Sequence, residues 1–244
     1  MTQQPLIRRR TAVATALLVG AGLATPSAVF AQAGKSALNL AMVAEPPTLD
    51  IQSTPADLVC IIMQHVYEPL FTIDANSSLV PMLAEAMPKI SDDGKLYTIA
   101  LRKGVKLHSG RELNADDVVA SLKRWMEVSP RGKSVAAQVA DLVAKGPLNV
   151  EISLKNAYAP LLSQLAMASG MAAIMAKESL AQPLRDYVGT GPYKFKERRP
   201  DQYVLLTRFD AYSARKEAAS GYGGKRVAVV EELRFVPVPN ANTR

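Results

Sequence analysis

The chain has 244 residues, 48% of them hydrophobic and 21% charged, with a formal net charge of +7. That is enough apolar material for one or two domains with real cores, and it excludes a disordered polymer. The lysines and arginines are interspersed with acids rather than gathered into a patch, which argues against a nucleic-acid partner. The single cysteine, Cys60, cannot form an internal disulfide and reads as a small buried apolar residue.

Residues 1–33 read as an export signal. Arg8, Arg9 and Arg10 precede an apolar run from Ala12 to Ala24, and Pro26, Ser27 and small residues follow. The run is about half of the ~20 residues a membrane span needs, so cleavage before Gln32 or Gly34 is expected, not anchoring. Arg8 to Thr11 resemble a twin-arginine leader without its usual bulky apolar residue, so the twin-arginine and general secretory routes both stay open. Removing residues 1–31 takes away three arginines and no acids, which lowers the net charge to +4.

Beyond the leader, Ala37 to Val43 alternates as a strand, and Pro46 and Pro47 turn Glu45 to Asp50 into a loop. Ala56 to Tyr67 places Val59, Ile62, Met63 and Val66 at helical spacing, with Ser53 or Thr54 available as a cap. An extended EPLFTID follows, and then SLVPMLAEAM is expected as a short helix with Pro81 in its first turn. SDDGK makes a tight turn before LYTIALR, whose Tyr97, Ile99 and Leu101 share a face. The stretch Tyr97 to Val119 reads as two short strands leading into a helix, with Asn114 and Asp117 as its cap and Val118, Leu122 and Trp125 as its buried stripe. LNVEISL is a strand, APLLSQLAMASGM an apolar helix, GTGPYKFKER with QYVLLTRF a hairpin, and VVEELRFVPV a last strand. The fold class expected is α+β, a mixed α/β chain without repeats.

Little of this carries chemistry. Cys60, His65, Glu68 and His108 are the residues a metal would have to use, but Cys60 and His65 fall on different faces of the first helix, and His65 reads as a partly exposed face residue. Ser213 and Lys216 match the Ser-x-x-Lys nucleophile pattern, yet the companion Ser-Asp-Asn and Lys-Thr-Gly elements are absent. ASGYGGKR has the Gly-Lys of a phosphate loop without its first glycine or its Ser/Thr, and reads as a flexible turn. Asp92 with Asp93 and Asp116 with Asp117 sit where capping explains them. No catalytic residue, metal site or cofactor is expected, and the chain reads as a non-enzyme.

The quiet segments carry the signal. AEPPTLD, VYEPLFTID, LVPMLAEAM, SDDGKLYTIALRKGVKLHSGRELNADDVVASLKR and VGTGPYKF resemble, in order and spacing, the family 5 extracellular solute-binding proteins of ABC transporters. The resemblance runs from about Leu38 to the C-terminus. It implies a periplasmic binding protein-like class II fold in which domain I is discontinuous and domain II is inserted into it. On that mapping residues 34–55 and 184–244 belong to domain I and 56–183 to domain II, with domain III missing because the chain stops at about half the family's length.

The implied function is binding of a small solute, a dipeptide or oligopeptide first, in the periplasm and its delivery to a membrane permease. Nickel chelates, haem, glutathione and oligosaccharides are alternative ligands of the same family, and an exported serine-type hydrolase using Ser213 and Lys216 is the alternative of another class. The resemblance implies ligand contact by Glu45, Pro46, Pro47 and Thr48, with Glu45 facing a ligand ammonium, and by Thr190 and Gly191 in the GTGPY segment. It also implies that these 244 residues bind peptide less tightly than a complete family member.

Overall fold

The computed structural model describes residues 36–240 and 242–243, so the expected leader at 1–33 lies outside the described residues. In chain order the elements are β1 (Ala37–Met42), α1 (Asp57–Met63), β2 (Phe71–Ile73), β3 (Leu79–Pro81), β4 (Lys89–Ile90), β5 (Leu96–Ala100), α2 (Ala115–Val128), α3 (Pro130–Ala136), β6 (Val139–Ala144), β7 (Asn149–Leu154), α4 (Leu161–Ala166), β8 (Tyr193–Arg199), β9 (Tyr203–Arg208) and β10 (Glu232–Pro237). A four-stranded mixed sheet has the order β1-β10-β9-β8, with β1 parallel to β10. A second four-stranded sheet, β4-β5-β7-β6, is antiparallel throughout, and β2 pairs with β3 alone.

Each large sheet has its own core. The first buries Val59, Ile62, Met63, Val66 and Tyr67 against Leu206, Leu233 and Phe235, together with Met171 and Met175. The second packs Val118, Leu122 and Trp125 of α2 and Leu161 and Leu165 of α4 against Ile99, Val150 and Ile152. Trp125 is wholly buried, with its indole N–H donating to the Gly170 carbonyl at 2.9 Å, as a buried tryptophan requires. Cys60 lies in the first core, as the sequence suggests. α1 packs there too, although residues 56–183 include it and the second sheet alike.

α2 starts where it does because of a reciprocal cap. The Asn114 side chain accepts from the Asp117 N–H at 3.1 Å, and Asp117 Oδ2 accepts from the Asn114 N–H at 3.0 Å. Arg111 then clamps the Asp117 carboxylate through both terminal nitrogens, at 2.8 and 2.7 Å, and the Lys177 N–H adds a bond of 3.0 Å. Burial pushes the Asp117 carboxyl up, but these donors outweigh it and hold it below the usual range. Arg111 and Asn114 are thus the framework that the segment before the helix supplies.

Four local expectations fail. SLVPMLAEAM is not helical: Leu79–Pro81 pairs with β2, and Met82, Leu83 and Ala84 continue as a wholly buried irregular run. A continuous buried apolar run has no face to show, so periodicity cannot assign it. Neither Ser53 nor Thr54 caps α1; its N-cap is Ala56, whose N–H is taken by Thr54 Oγ1 at 3.2 Å. The apolar helix ends at Ala166, and Met171 to Ala176 are extended and buried. Residues 105–113 form a loop closed by the single Lys106–Glu112 bridge rather than a second strand.

Candidate functional site

β1 runs with β10, and β10 and β8 both oppose β9, so β1 and β8 point the same way. Their C-terminal ends therefore lie at the same end of the sheet, on its two outer strands, and the loop after β1 reaches across that end to be fastened. Glu45 Oε1 accepts from Arg198 Nε at 2.9 Å and Nη2 at 2.6 Å, and its Oε2 accepts from the Asp201 N–H at 3.0 Å. Arg198 Nη2 also donates to the Pro46 carbonyl at 2.8 Å. The Arg198 bonds, then the Asp201 N–H, hold the Glu45 carboxyl below the usual carboxylate range.

The pair stays about a quarter exposed, at 28% for Arg198 and 24% for Glu45. Pro46 is buried and Pro47 exposed, while Thr48 Oγ1 accepts from the Asp50 N–H at 3.1 Å. The loop is thus rigid and partly open. A ligand ammonium reaching Glu45 would have to compete with Arg198, because both carboxylate oxygens are already engaged.

Thr190 and Gly191 lie elsewhere. They precede β8, whereas Arg198 stands near its end, and the five residue steps from Tyr193 to Arg198 span roughly 16 Å. Thr190 is wholly buried, its hydroxyl donating to Glu68 Oε2 at 2.8 Å while the Tyr212 hydroxyl donates to Oε1 at 2.7 Å. The Gly191 and Tyr193 N–H groups bond to the carbonyls of Val66 and His65 at 2.9 and 3.0 Å. A Cβ on Gly189 would sit 2.1 Å from the Val66 oxygen, and one on Gly191 would sit 2.4 Å from the His65 oxygen. Glycine is needed here for close backbone approach within a packed seam.

A second fastening joins the loop after β1 to the other sheet's main helix. Arg124 on α2 donates to Asp50 at 3.1 and 2.6 Å and to Gln52 Oε1 at 2.8 Å, and all three side chains are buried. Gln52 Nε2 in turn donates to the Ala173 and Ser121 carbonyls at 2.8 and 3.1 Å. Arg198, Arg124 and His108, which lies against the Gly189 loop, are the positions that local sequence reasoning missed. Their partners lie 153, 74 and 81 residues away in sequence.

The residues weighed for other chemistry do not assemble. Ser213 Oγ donates to the Gly104 carbonyl at 3.1 Å and accepts from the Lys106 N–H at 3.3 Å, and Lys216 is exposed on a non-helical stretch. No hydrogen bond joins Ser213 to Lys216, as a nucleophile and its base would require. Among the described residues no group of three or more His, Cys, Asp or Glu could hold a metal ion, and no helix is long and apolar enough to cross a membrane. His65 is largely buried, its ring against Tyr193 and Phe235 at 6.0 and 5.9 Å.

Residues 78–244 match the bacterial extracellular solute-binding proteins, family 5, middle region. The chain belongs to this family. It is 30% identical over 236 residues to the "Probable peptide ABC transporter periplasmic-binding protein" of Sinorhizobium fredii, covering 93% of this chain and 44% of that protein. It is 28% identical over 231 residues to the glutathione-binding protein GsiB of Salmonella choleraesuis, covering 93% and 43%. Among solved structures, the dipeptide-binding protein of Pseudoalteromonas sp. SM9913 in complex with Met-Leu superposes with a TM-score of 0.71 at 28% identity, over 85% of this chain and 44% of that one. This family 5 chain therefore spans less than half the length of these relatives, and it shares their class II periplasmic binding protein fold.

Proposed function

We propose that the chain is part of an extracytoplasmic solute-binding component of an ABC importer, which binds a di- or oligopeptide reversibly and hands it to the membrane permease. The family match over residues 78–244 carries this reading. The naming of relatives for peptide and glutathione ligands supports a peptide-like solute. In this reading residues 34–55 and 184–244 form one lobe and 56–183 an inserted one, after export that removes residues 1–33. The rigid loop Glu45–Thr48, held by Arg198, is one wall of the solute cleft. Burying a small ligand between such a wall and a closing partner surface removes most of its area from water, which a one-sided surface cannot do.

The test is thermal unfolding and isothermal titration of the protein isolated from its native host, against dipeptides to pentapeptides and glutathione. Reversible stabilisation by at least one peptide, without its consumption, is expected, as is labelling by serine-reactive probes no greater in the parent than in Ser213→Ala. Consumption of a peptide, or no response to any compound in the panel, contradicts the proposal.

A further inference from the structure

We propose that His108 is a proton-operated latch on the seam where the Gly189–Gly191 loop enters β8. The imidazole bridges two backbone groups of that loop: Nε2 lies 2.9 Å from the Gly191 carbonyl oxygen, and the Gly189 N–H points at Nδ1 over 3.2 Å. A carbonyl can only accept and an amide N–H can only donate, so the ring is neutral with its proton on Nε2. The His108 N–H adds a third bond, to the Gly189 carbonyl at 2.9 Å. His108 sits on the loop between β5 and α2, which belong to the second sheet's unit, whereas the glycines lead into the first sheet. The latch therefore ties the two together.

Protonation reverses one of these bonds. With a hydrogen on Nδ1, two donors would face each other across the contact with Gly189, and the ring must let that amide go. The Tyr187 backbone near the ring favours its charged form. Only the neutral ring holds Gly189.

The surroundings set where the switch acts. Lys194 on β8 opposes a cation on the ring; Lys196 on β8 and Arg185, Asp186 and Tyr187 on the preceding loop line the same groove, and Glu178 is already held by Arg111. The Phe209 ring covers one side at 5.0 Å, edge to face, and is uncharged. Burial, with a contribution from Lys194, lowers the ring's affinity for a proton to a pKa of about 4. Protons reach it through a groove of about 530 Å³ that His108 itself lines. His65, the other histidine, makes no ring hydrogen bond to the loop among the described residues.

Imidazole ¹H–¹⁵N correlation spectra of the labelled protein, recorded from pH 7.5 to about 3, test the latch without any substitution. His108 should show a bare Nδ1 and a protonated Nε2 at pH 7, and should titrate below pH 5. Protection of the Gly189 amide from exchange, corrected for its intrinsic rate, should fall at least tenfold over the same titration. His65→Gln should leave that fall in place, and His108→Gln should abolish its pH dependence. An Nδ1–H tautomer at pH 7, a midpoint near 6.5, or Gly189 protection that does not follow the ring's titration would each overturn the proposal.

Discussion

Replacing Asp50 by alanine should be among the most damaging single changes in the chain. The substitution strips two charged bonds from Arg124, at 3.1 and 2.6 Å, and removes the acceptor of the Gln52 N–H at 3.2 Å. Arg124 is 7% exposed and cannot turn its guanidinium to water, so it becomes a buried charge with only Gln52 and the Ala181 carbonyl left. Breaking a buried pair in this way costs about 3–5 kcal/mol, far above the ~0–1 kcal/mol of an exposed pair such as Lys106–Glu112. Removing Arg124 as well relieves the uncompensated charge, so Asp50→Ala/Arg124→Met should recover at least about half of the loss, and the two substitutions should be strongly non-additive. Urea unfolding followed by tryptophan fluorescence measures this directly, because Trp125 adjoins Arg124 on α2. A loss below about 1 kcal/mol for Asp50→Ala, or additive effects in the cycle, would refute the view that this pair fastens the loop to the helix.

Gly191→Ala should destabilise by about 1–3 kcal/mol, since its methyl would lie 2.4 Å from the His65 oxygen; chemical denaturation of the variant beside the parent checks it. Asn114→Ala should cost about 1 kcal/mol through loss of the α2 cap, and Asp117→Ala clearly more, because Arg111 and the Lys177 N–H lose their acceptor as well. Stability should fall with pH between about 7 and 4. Both histidines have folded pKa values of about 4 against 6.5 in the open chain, so the unfolded state binds more protons in that window. Each contributes at most about 3.4 kcal/mol to the loss by pH 4, and the denaturation midpoint keeps falling below pH 4 as the carboxyls of Glu45, Asp117 and Glu217, all held below their usual range, take up protons. A midpoint that rises on acidification in that range contradicts the burial of these rings.

Strands with one buried face and helices with explicit caps were legible from the sequence. Tyr97 and Ile99 alternate in β5, and Asn114 with Asp117 announces α2 at the residue where it begins. What failed is buried on all sides or decided at long range. Met82 to Ala84 and Met171 to Ala176 are uninterrupted apolar runs whose non-helical backbone is set by the core they fill, a choice no local pattern encodes. α3 and β6 were not anticipated; α3 has proline at its start, no side-chain cap and a glycine that packs against Trp125.

The candidate site shows the same division. Glu45 to Thr48 form a loop where the prolines say so, but nothing near Glu45 in sequence reveals that Arg198 holds it. Glycine at 189 and 191 signals close backbone approach, but only the fold shows that the backbone approached is the oxygens of His65 and Val66.

The central claim, that this protein captures a peptide-like solute for import, is tested most directly by uptake. Cells of the native host lacking the gene, the parent, and the deletion strain carrying the intact gene should be given labelled di- and tripeptides at submicromolar concentration. The account predicts that at least one peptide accumulates several-fold more slowly without the gene and that the gene restores its entry. Equal uptake of every peptide by the three strains, with the protein present outside the cytoplasm, would contradict it.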